Sequence, residues 1–258
     1  MRPLELLDRA DVAGLAGILF DIDDTVTRHG RIVPDAFAAM ARARDAGLKT
    51  IPVTGRPAGW VDHIARMWPV DGCVGENGGL WFWMDGQLRR GFVQDEATRV
   101  ANRARLQAIR EAVLREVPGC GIASDQPYRE LDLAVDFRED VPPLGDPEID
   151  HIVAVFARHG ATSKVSSIHV NGWFGDFDKL TGFARLCADL ALDPDPARWA
   201  FVGDSANDAP MFAHFPVSVG VANVDDFLPR IPVWPAWRCA REGGYGFADF
   251  IHRILELR

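Results

Sequence analysis

Short uninterrupted apolar runs alternate along this chain with stretches in which apolar positions recur every three or four residues. The runs are Ala16 to Phe20, Leu48 to Val53, Gly72 to Gly75, Trp199 to Val202 and Val217 to Val221. Runs of that kind predict strands buried on both faces of a parallel sheet. Helices are expected between them, from Ala36 to Ala46, from Pro57 to Met67, from Asp178 to Leu192, before Phe215 and from Tyr245 to Leu257. The first has Pro34 near its start and Gly47 just past its end, the usual asymmetry of helix boundaries. Strand and helix in alternation predict an α/β fold, a three-layer Rossmann-like parallel sheet core.

The pattern changes in the middle. Leu80 to Met84 and Gln87 to Val93 read as a hairpin with a type I′ turn at Asp85-Gly86. A long charged helix is expected from Glu96 to Val117, and the strands Glu130 to Phe137 and Val165 to Trp173 alternate apolar with polar residues, as a sheet covered on one face does. A Pro-rich connection, Val141 to Pro147, and a helix from Glu148 to His159 lie between them. The expected division is a core of residues 1–84 and 175–258 with an inserted α+β cap domain, 85–174, that selects the substrate.

The ends of the core strands carry the chemistry. The first run delivers Asp21-Ile22-Asp23-Asp24-Thr25, the second Thr54-Gly55-Arg56, the third Glu76-Asn77-Gly78-Gly79 and the fourth Gly203-Asp204-Ser205-Ala206-Asn207-Asp208, while Lys179 opens a helix. Open α/β sheets bind ligands at the carboxyl ends of their strands, so these residues should converge. Several carboxylates in one crevice repel each other and require a cation, and oxygen donors select Mg²⁺ or a similar hard ion. Metal, lysine, hydroxyl and backbone amides are the parts that neutralise a phosphoryl group during transfer. An aspartate can be the nucleophile, forming an aspartyl phosphate, and a second carboxylate two residues on can serve as acid and base.

The 258 residues, with 48% hydrophobic and 25% charged, suffice for a large domain with an insert. A net charge of −9 argues against nucleic acid or an anionic membrane as partner. Cys73, Cys120, Cys187 and Cys239 are too scattered for a zinc site or a disulfide scaffold and read as buried reduced thiols. No signal peptide or membrane-spanning run is apparent, so the expectation is a soluble cytoplasmic protein, a monomer or small homo-oligomer, with a small phosphorylated metabolite as its partner.

Asp21-x-Asp23-x-Thr25, Thr54-Gly55-Arg56, Lys179 and Gly203-Asp204-x-x-Asn207-Asp208, in that order and context, resemble the four motifs of haloacid dehalogenase-like (HAD) phosphatases. The place and α+β character of the insert resemble the large cap of the Cof-type subfamily, whose members mostly act on sugar phosphates. Glu76-Asn77-Gly78 resembles a motif of sugar-phosphate members. The resemblance implies a Mg²⁺-dependent phosphomonoester hydrolase acting on a small phosphorylated sugar or polyol, with Asp21 as nucleophile and Asp23 as general acid and base. Thr54 and Lys179 would hold the phosphoryl oxygens, with Gly55, Arg56, Asn77 and Asn207 on the substrate side. Mg²⁺ would be bound by the Asp21 carboxylate, the Asp23 backbone carbonyl and Asp204, with Asp208 a further or outer-sphere ligand. Asp24 would sit in the turn without a chemical role. The segment Trp173 to Lys179 departs from the Cof-type pattern, lacking its small residues and the glycine after lysine, which bears on the substrate and not on the chemistry.

Arg56 either touches phosphate or substrate or pairs with a core carboxylate. His169 and Asn171 alternate on the last insert strand and are read first as satisfied structural groups. Trp81, Trp83, Trp173, Trp234 and Trp237 are read as packing residues before sugar platforms. Arg103, Arg105 and Arg110 read as a solvated helix face. The rival functions are a phosphomutase using the same aspartyl phosphate, a catalytically silent phosphate-binding protein, and a receiver-type signalling domain; motif order and the insert argue against the last.

Overall fold

The structure, a computed structural model, describes residues 1–258. The first half of the core contains β1 (Gly17–Phe20), α1 (Pro34–Asp45), β2 (Lys49–Pro52), α2 (Ala58–Met67) and β3 (Cys73–Gly75), followed by the hairpin β4 (Leu80–Asp85) and β5 (Gln87–Phe92). The insert follows as α3 (Glu96–Glu116), β6 (Gly121–Ile122), β7 (Asp132–Asp136), α4 (Asp146–Arg158), β8 (Thr162–Val165) and β9 (His169–Trp173). The chain then returns through α5 (Lys179–Asp189), β10 (Trp199–Gly203), α6 (Ala209–His214), β11 (Val217–Gly220), β12 (Trp237–Arg238) and α7 (Gly243–Leu257).

The main sheet is parallel throughout, in the order Arg2–Pro3, β12, β11, β10, β1, β2. From β1 the chain moves to β2 on one side and returns as β10 on the other. Adjacent crossovers therefore leave in opposite directions, and a crevice opens over the carboxyl end of β1. Apolar side chains of α1, α2 and α7, among them Met40, Ile64 and Phe250, cover one face; Phe183, Leu186 and Phe212 of α5 and α6 cover the other. Burial on both faces is why these strands read as continuous apolar runs.

The insert forms a four-stranded antiparallel sheet, β8-β9-β7-β6, and α3 and α4 pack on one face of it over a separate cluster of 15 buried apolar residues. Along β7, Leu133 and Val135 enter that cluster, while Asp132 and Asp136 turn to the opposite face, towards the crevice.

Three sequence expectations change. Residues 85–92, assigned to the insert, instead complete a three-stranded sheet, β3-β4-β5, which a Val53–Val74 bridge joins to the main sheet. At the hairpin tip Gly86 alone has a positive φ, 67°, and Asp85 remains paired with Gln87, so the turn is not type I′, which needs positive φ at two central residues. The expected strand from Val165 to Trp173 is two strands, because Ser166 turns the chain: its N–H donates to the His169 carbonyl and its hydroxyl accepts the His169 N–H at 3.0 Å. The polar sequence Thr162-Ser163-Lys164 hid β8.

Candidate active site

Asp21 leaves β1 buried in the crevice, its N–H donating to the Val202 carbonyl of β10. The chain then turns at once, with the amides of Thr25, Val26 and Thr27 all directed at the Ile22 carbonyl. That turn places Thr25 so that its hydroxyl donates to Asp204 Oδ1 at 3.0 Å, across to the end of β10. Asp204 Oδ2 accepts from Asn223 Nδ2 at 3.3 Å. Asn223, which no sequence motif singled out, also donates to the Asp24 carbonyl and accepts the Gly243 N–H.

Lys179, buried at the start of α5, donates to Asp21 Oδ1 at 3.0 Å and to Asp208 Oδ1 at 2.6 Å. Gly78 makes this approach possible, since a Cβ on its positive-φ backbone would overlap the Asp178 carbonyl immediately before Lys179. Asp208 Oδ2 accepts the amides of Asp204 and Ser205, so both of its oxygens have protein partners. Asp21, Asp204 and Asp208 each bring a carboxylate oxygen within 4.8 Å of the others. Burial, reinforced by the neighbouring carboxylates and opposed by Lys179, raises the Asp21 carboxyl to about 7. Burial, then Asp21 and Asp208, push Asp204 well above the usual carboxylate range. Burial disfavours the Lys179 charge, but Asp208 and Asp21 more than offset this and raise its pKa. A buried all-oxygen cluster with one ammonium fits a hard divalent cation.

Thr54, fully buried at the end of β2, accepts the Arg56 N–H on its hydroxyl, and its carbonyl accepts the Asn77 N–H. Asn207 donates to Asn77 Oδ1 at 3.3 Å, while Asn77 Nδ2 is buried without a partner. Gly55 lies between Asn77 and Asn171 of the insert, close enough that a Cβ would touch both. Among the sequence-predicted residues, Asp21, Lys179, Asp204 and Asp208 thus form one bonded group, and Thr54, Asn77 and Asn207 a second hydrogen-bonded chain beside Gly55.

Arg56 and Asp23 form a second group. Arg56 grips both Asp23 oxygens at 2.8–3.0 Å and reaches two insert carboxylates, Asp125 at 3.1 Å and Glu139 at 2.6 Å. Of its two expected roles, pairing with carboxylates is the one seen. Its guanidinium also lies 4.5 Å from the Trp60 ring centroid. Asp23, Asp24, Arg56, His29, Arg138 and Glu139 line most of a cavity of about 330 Å³ between core and insert. Asp24, expected to be an inert turn residue, has φ 54° and borders that cavity.

A buried seam ties insert to core. Glu76 accepts amides from Ala58, Glu130, Leu131 and Asp132 at 2.6–3.2 Å. Arg129 donates to the Gly55 carbonyl at 2.8 Å and pairs with Asp125 and Asp132, and Asp132 also accepts from Asn171. Sequence reasoning missed Arg129 and Asp132; the alternation of Asp132 with apolar neighbours on β7 was their only signal. His169 Nε2 stands 3.0 Å from Glu139. Trp81, Trp173 and Trp237 are buried in packing, whereas Trp234 is exposed. Arg105 lies 3.4 Å over the Phe174 ring, so it covers an aromatic side chain and is not merely solvated. All four cysteines are free. No helix is long and apolar enough to cross a membrane.

No family model matches the chain. It is 27% identical over 253 residues to the phosphoglycolate phosphatase of Methanopyrus kandleri, covering 93% of this chain and 97% of that one. It is 28% identical over 213 residues to the phosphoglycolate phosphatase of Haloarcula marismortui, covering 81% and 85%. Protein 0175 of Thermoplasma acidophilum shares the fold at a TM-score of 0.71 and 20% identity, over 95% of this chain and 99% of that one. A sugar phosphatase of HAD subclass IIB aligns at a TM-score of 0.59 and 14% identity, over 87% and 93%. The chain is similar along most of its length to phosphoglycolate phosphatases and shares its fold with phosphatases of the haloacid dehalogenase superfamily. In this chain the parallel core and a match to those relatives over nearly its whole length occur together with the acidic crevice.

Proposed function

We propose that this phosphatase hydrolyses a small phosphomonoester through an aspartyl phosphate on Asp21. The reading is carried by one observation: a buried aspartate at the carboxyl end of the central strand, held by Lys179 at 3.0 Å, with two further carboxylates within 4.8 Å. Lys179 occupies Asp21 Oδ1, and the other oxygen has no protein donor and is the one available for attack on phosphorus. As the new O–P bond forms, the ester O–P bond breaks in line. Asp23, whose carboxylate Arg56 holds in the structure, would be released to give the leaving oxygen a proton and then to remove one from the water that cleaves the aspartyl phosphate and regenerates Asp21. The Thr54 hydroxyl and the Lys179 ammonium take up phosphoryl charge, and Asn77 Nδ2 is a buried donor still free for an oxygen acceptor.

Asp21, Asp204 and the Asp23 backbone carbonyl would hold Mg²⁺, with Asp208 in the outer sphere because Lys179 and two amides already occupy it. When bound, Mg²⁺ supplies charge neutralisation for the buried carboxylates and the phosphoryl oxygens. The segment 85–174 would act as the cap. A cavity of about 330 Å³ lies at the small end of ligand sites and suits a short polar leaving group, a single sugar or a hydroxy acid such as glycolate, the substrate unit named for the relatives.

The test is phosphate release from a panel of sugar phosphates, polyol phosphates and 2-phosphoglycolate, with Mg²⁺ and with chelator. Metal-dependent release concentrated on small esters is expected. Release unaffected by chelator would remove the metal from the reading, and isomerisation without release would make the protein a phosphomutase.

A further inference from the structure

The three clustered carboxylates are not held alike. Asp21 and Asp208 share the Lys179 ammonium at 3.0 and 2.6 Å. Asp204, fully buried, forms no ion pair and is bonded by two neutral side-chain donors, the Thr25 hydroxyl on Oδ1 at 3.0 Å and Asn223 Nδ2 on Oδ2 at 3.3 Å. A buried carboxylate with only neutral partners keeps a charge that a cation must balance. Each of its oxygens also keeps a lone pair, and the two donors fix how the carboxylate is turned. Asp204 is therefore the member of the cluster whose orientation bears most on a cation, and one of the two residues that set it lies outside every sequence motif.

Asn223 is itself held in one setting. It lies just after β11, and its side-chain oxygen accepts the Gly243 N–H, the first amide of α7, at 2.9 Å. That contact determines which end of the amide is oxygen, so the nitrogen faces the crevice. Both protons on that nitrogen are used, one on the Asp24 carbonyl at 3.0 Å and one on Asp204. Gly243, with φ 51°, packs so closely on the turn after β1 that a Cβ there would lie 2.6 Å from the Thr27 carbonyl. Asn223 thus joins three segments around the cluster: the turn that follows Asp21, the loop that carries Asp204 and the start of α7. The position needs two donors and one acceptor on a short side chain. Aspartate would supply no donor and would set a further negative charge against Asp204, and glutamine would be one methylene too long.

We infer that Asn223 is a positioning residue for the divalent cation: it fixes the Asp204 carboxylate that would hold the ion and so sets metal affinity. This rests on the metal-dependent hydrolase reading and deepens it. Asn223 makes no hydrogen bond to Asp21, Asp23 or Lys179, so its loss should be felt in metal binding before it is felt at the ester. Hydrogen-bond partners that orient a metal ligand are worth about ten- to a hundredfold in metal affinity.

The experiment measures Mn²⁺ binding to the substrate-free protein, by loss of the free-ion electron paramagnetic resonance signal, for wild type, Asn223→Ala, Asn223→Ser and Asp204→Asn. Thermal unfolding in chelator checks that each variant folds. Wild type should bind the ion, and Asp204→Asn should lose it. Asn223→Ala should raise the Kd for Mn²⁺ about ten- to a hundredfold and raise the Mg²⁺ concentration for half-maximal phosphate release by a similar factor, while kcat and KM at saturating Mg²⁺ stay within about threefold. Asn223→Ser keeps a hydroxyl on the Gly243 side but has no amide to reach Asp204, so it should show the same loss, and it carries the test if the alanine variant does not fold. An unchanged Kd in the folded Asn223 variants, with or without a fall in kcat at saturating metal, overturns the inference and leaves the hydrolase intact. Ion binding that persists in Asp204→Asn overturns it as well. A wild type that releases phosphate without binding an ion removes the metal on which the inference rests, and one that releases none from any ester refutes the hydrolase reading itself.

Discussion

The two walls of the crevice are built differently. On the core wall Asp21, Lys179, Asp204 and Asp208 are buried and cross-bonded, each held by the end of a parallel strand or the first turn of a helix. On the insert wall Arg138 and Glu139 stand on a loop, partly open to solvent, and Arg138 is unpaired. The core wall is preorganised as the proposed phosphoryl chemistry requires; the insert wall is the more solvated of the two. Arg56 joins them, linking Asp23 on one side to Asp125 and Glu139 on the other.

Substitutions can break that contrast at graded depth. The largest effect belongs to the core wall: Asp21→Asn should lower turnover on every ester by at least about 10³-fold while leaving the unfolding transition in place, since it removes the nucleophile. Activity within tenfold of wild type would contradict the assignment. Next is the buried seam. Arg129→Met leaves the buried Asp132 with Asn171 but no cation and Asp125 with Arg56 alone, so unfolding in denaturant should show a loss of about 3–5 kcal/mol. A loss under about 1 kcal/mol would mean that the seam is not holding the insert.

A smaller effect is expected at Glu139. Burial favours its neutral form, but His169 and Arg56 outweigh this and bring the carboxyl down from its ordinary 4.5 to about 2. A carboxyl depressed in the fold stabilises above its unfolded value, and the contribution disappears as pH falls from 4.5 towards 2. Thermal unfolding of Glu139→Gln should therefore vary less steeply with pH across that interval, and a curve parallel to wild type would argue against the pairing. The smallest effect is at the outer strap, where Arg230 reaches Asp150 at 2.8 Å and Asp146 at 2.9 Å on α4. Both carboxylates are well exposed, so Arg230→Ala should cost less than about 1 kcal/mol and change kcat by less than twofold. A large loss there would shift the closure of the insert from the buried seam to this strap.

The same contrast explains what the sequence made legible. Strands buried on both faces leave continuous apolar runs, and the residue that follows each run is placed by the sheet. Asp21, Thr54 and Asp204 could therefore be located from local pattern alone. Lys179 was legible because it opens an amphipathic helix just after Asp178, whose side chain caps it. Contacts formed across the molecule left no such trace. Asn223 stands 199 residues from Asp24, and Arg129 reaches Gly55 across 74 residues, so neither has a spacing to read. The split of the Val165 to Trp173 segment was hidden because a serine turn has no strong breaker such as Gly or Pro.

The claim on which the account turns is that Asp21 becomes phosphorylated. The direct test is rapid acid quenching of wild type and Asp21→Asn during turnover of a small phosphomonoester, followed by peptide mapping by mass spectrometry. The account predicts a phosphoryl group on the peptide containing Asp21 in the wild type and none in the variant. Turnover with no protein-bound phosphoryl group, or with the group on another residue, would contradict it.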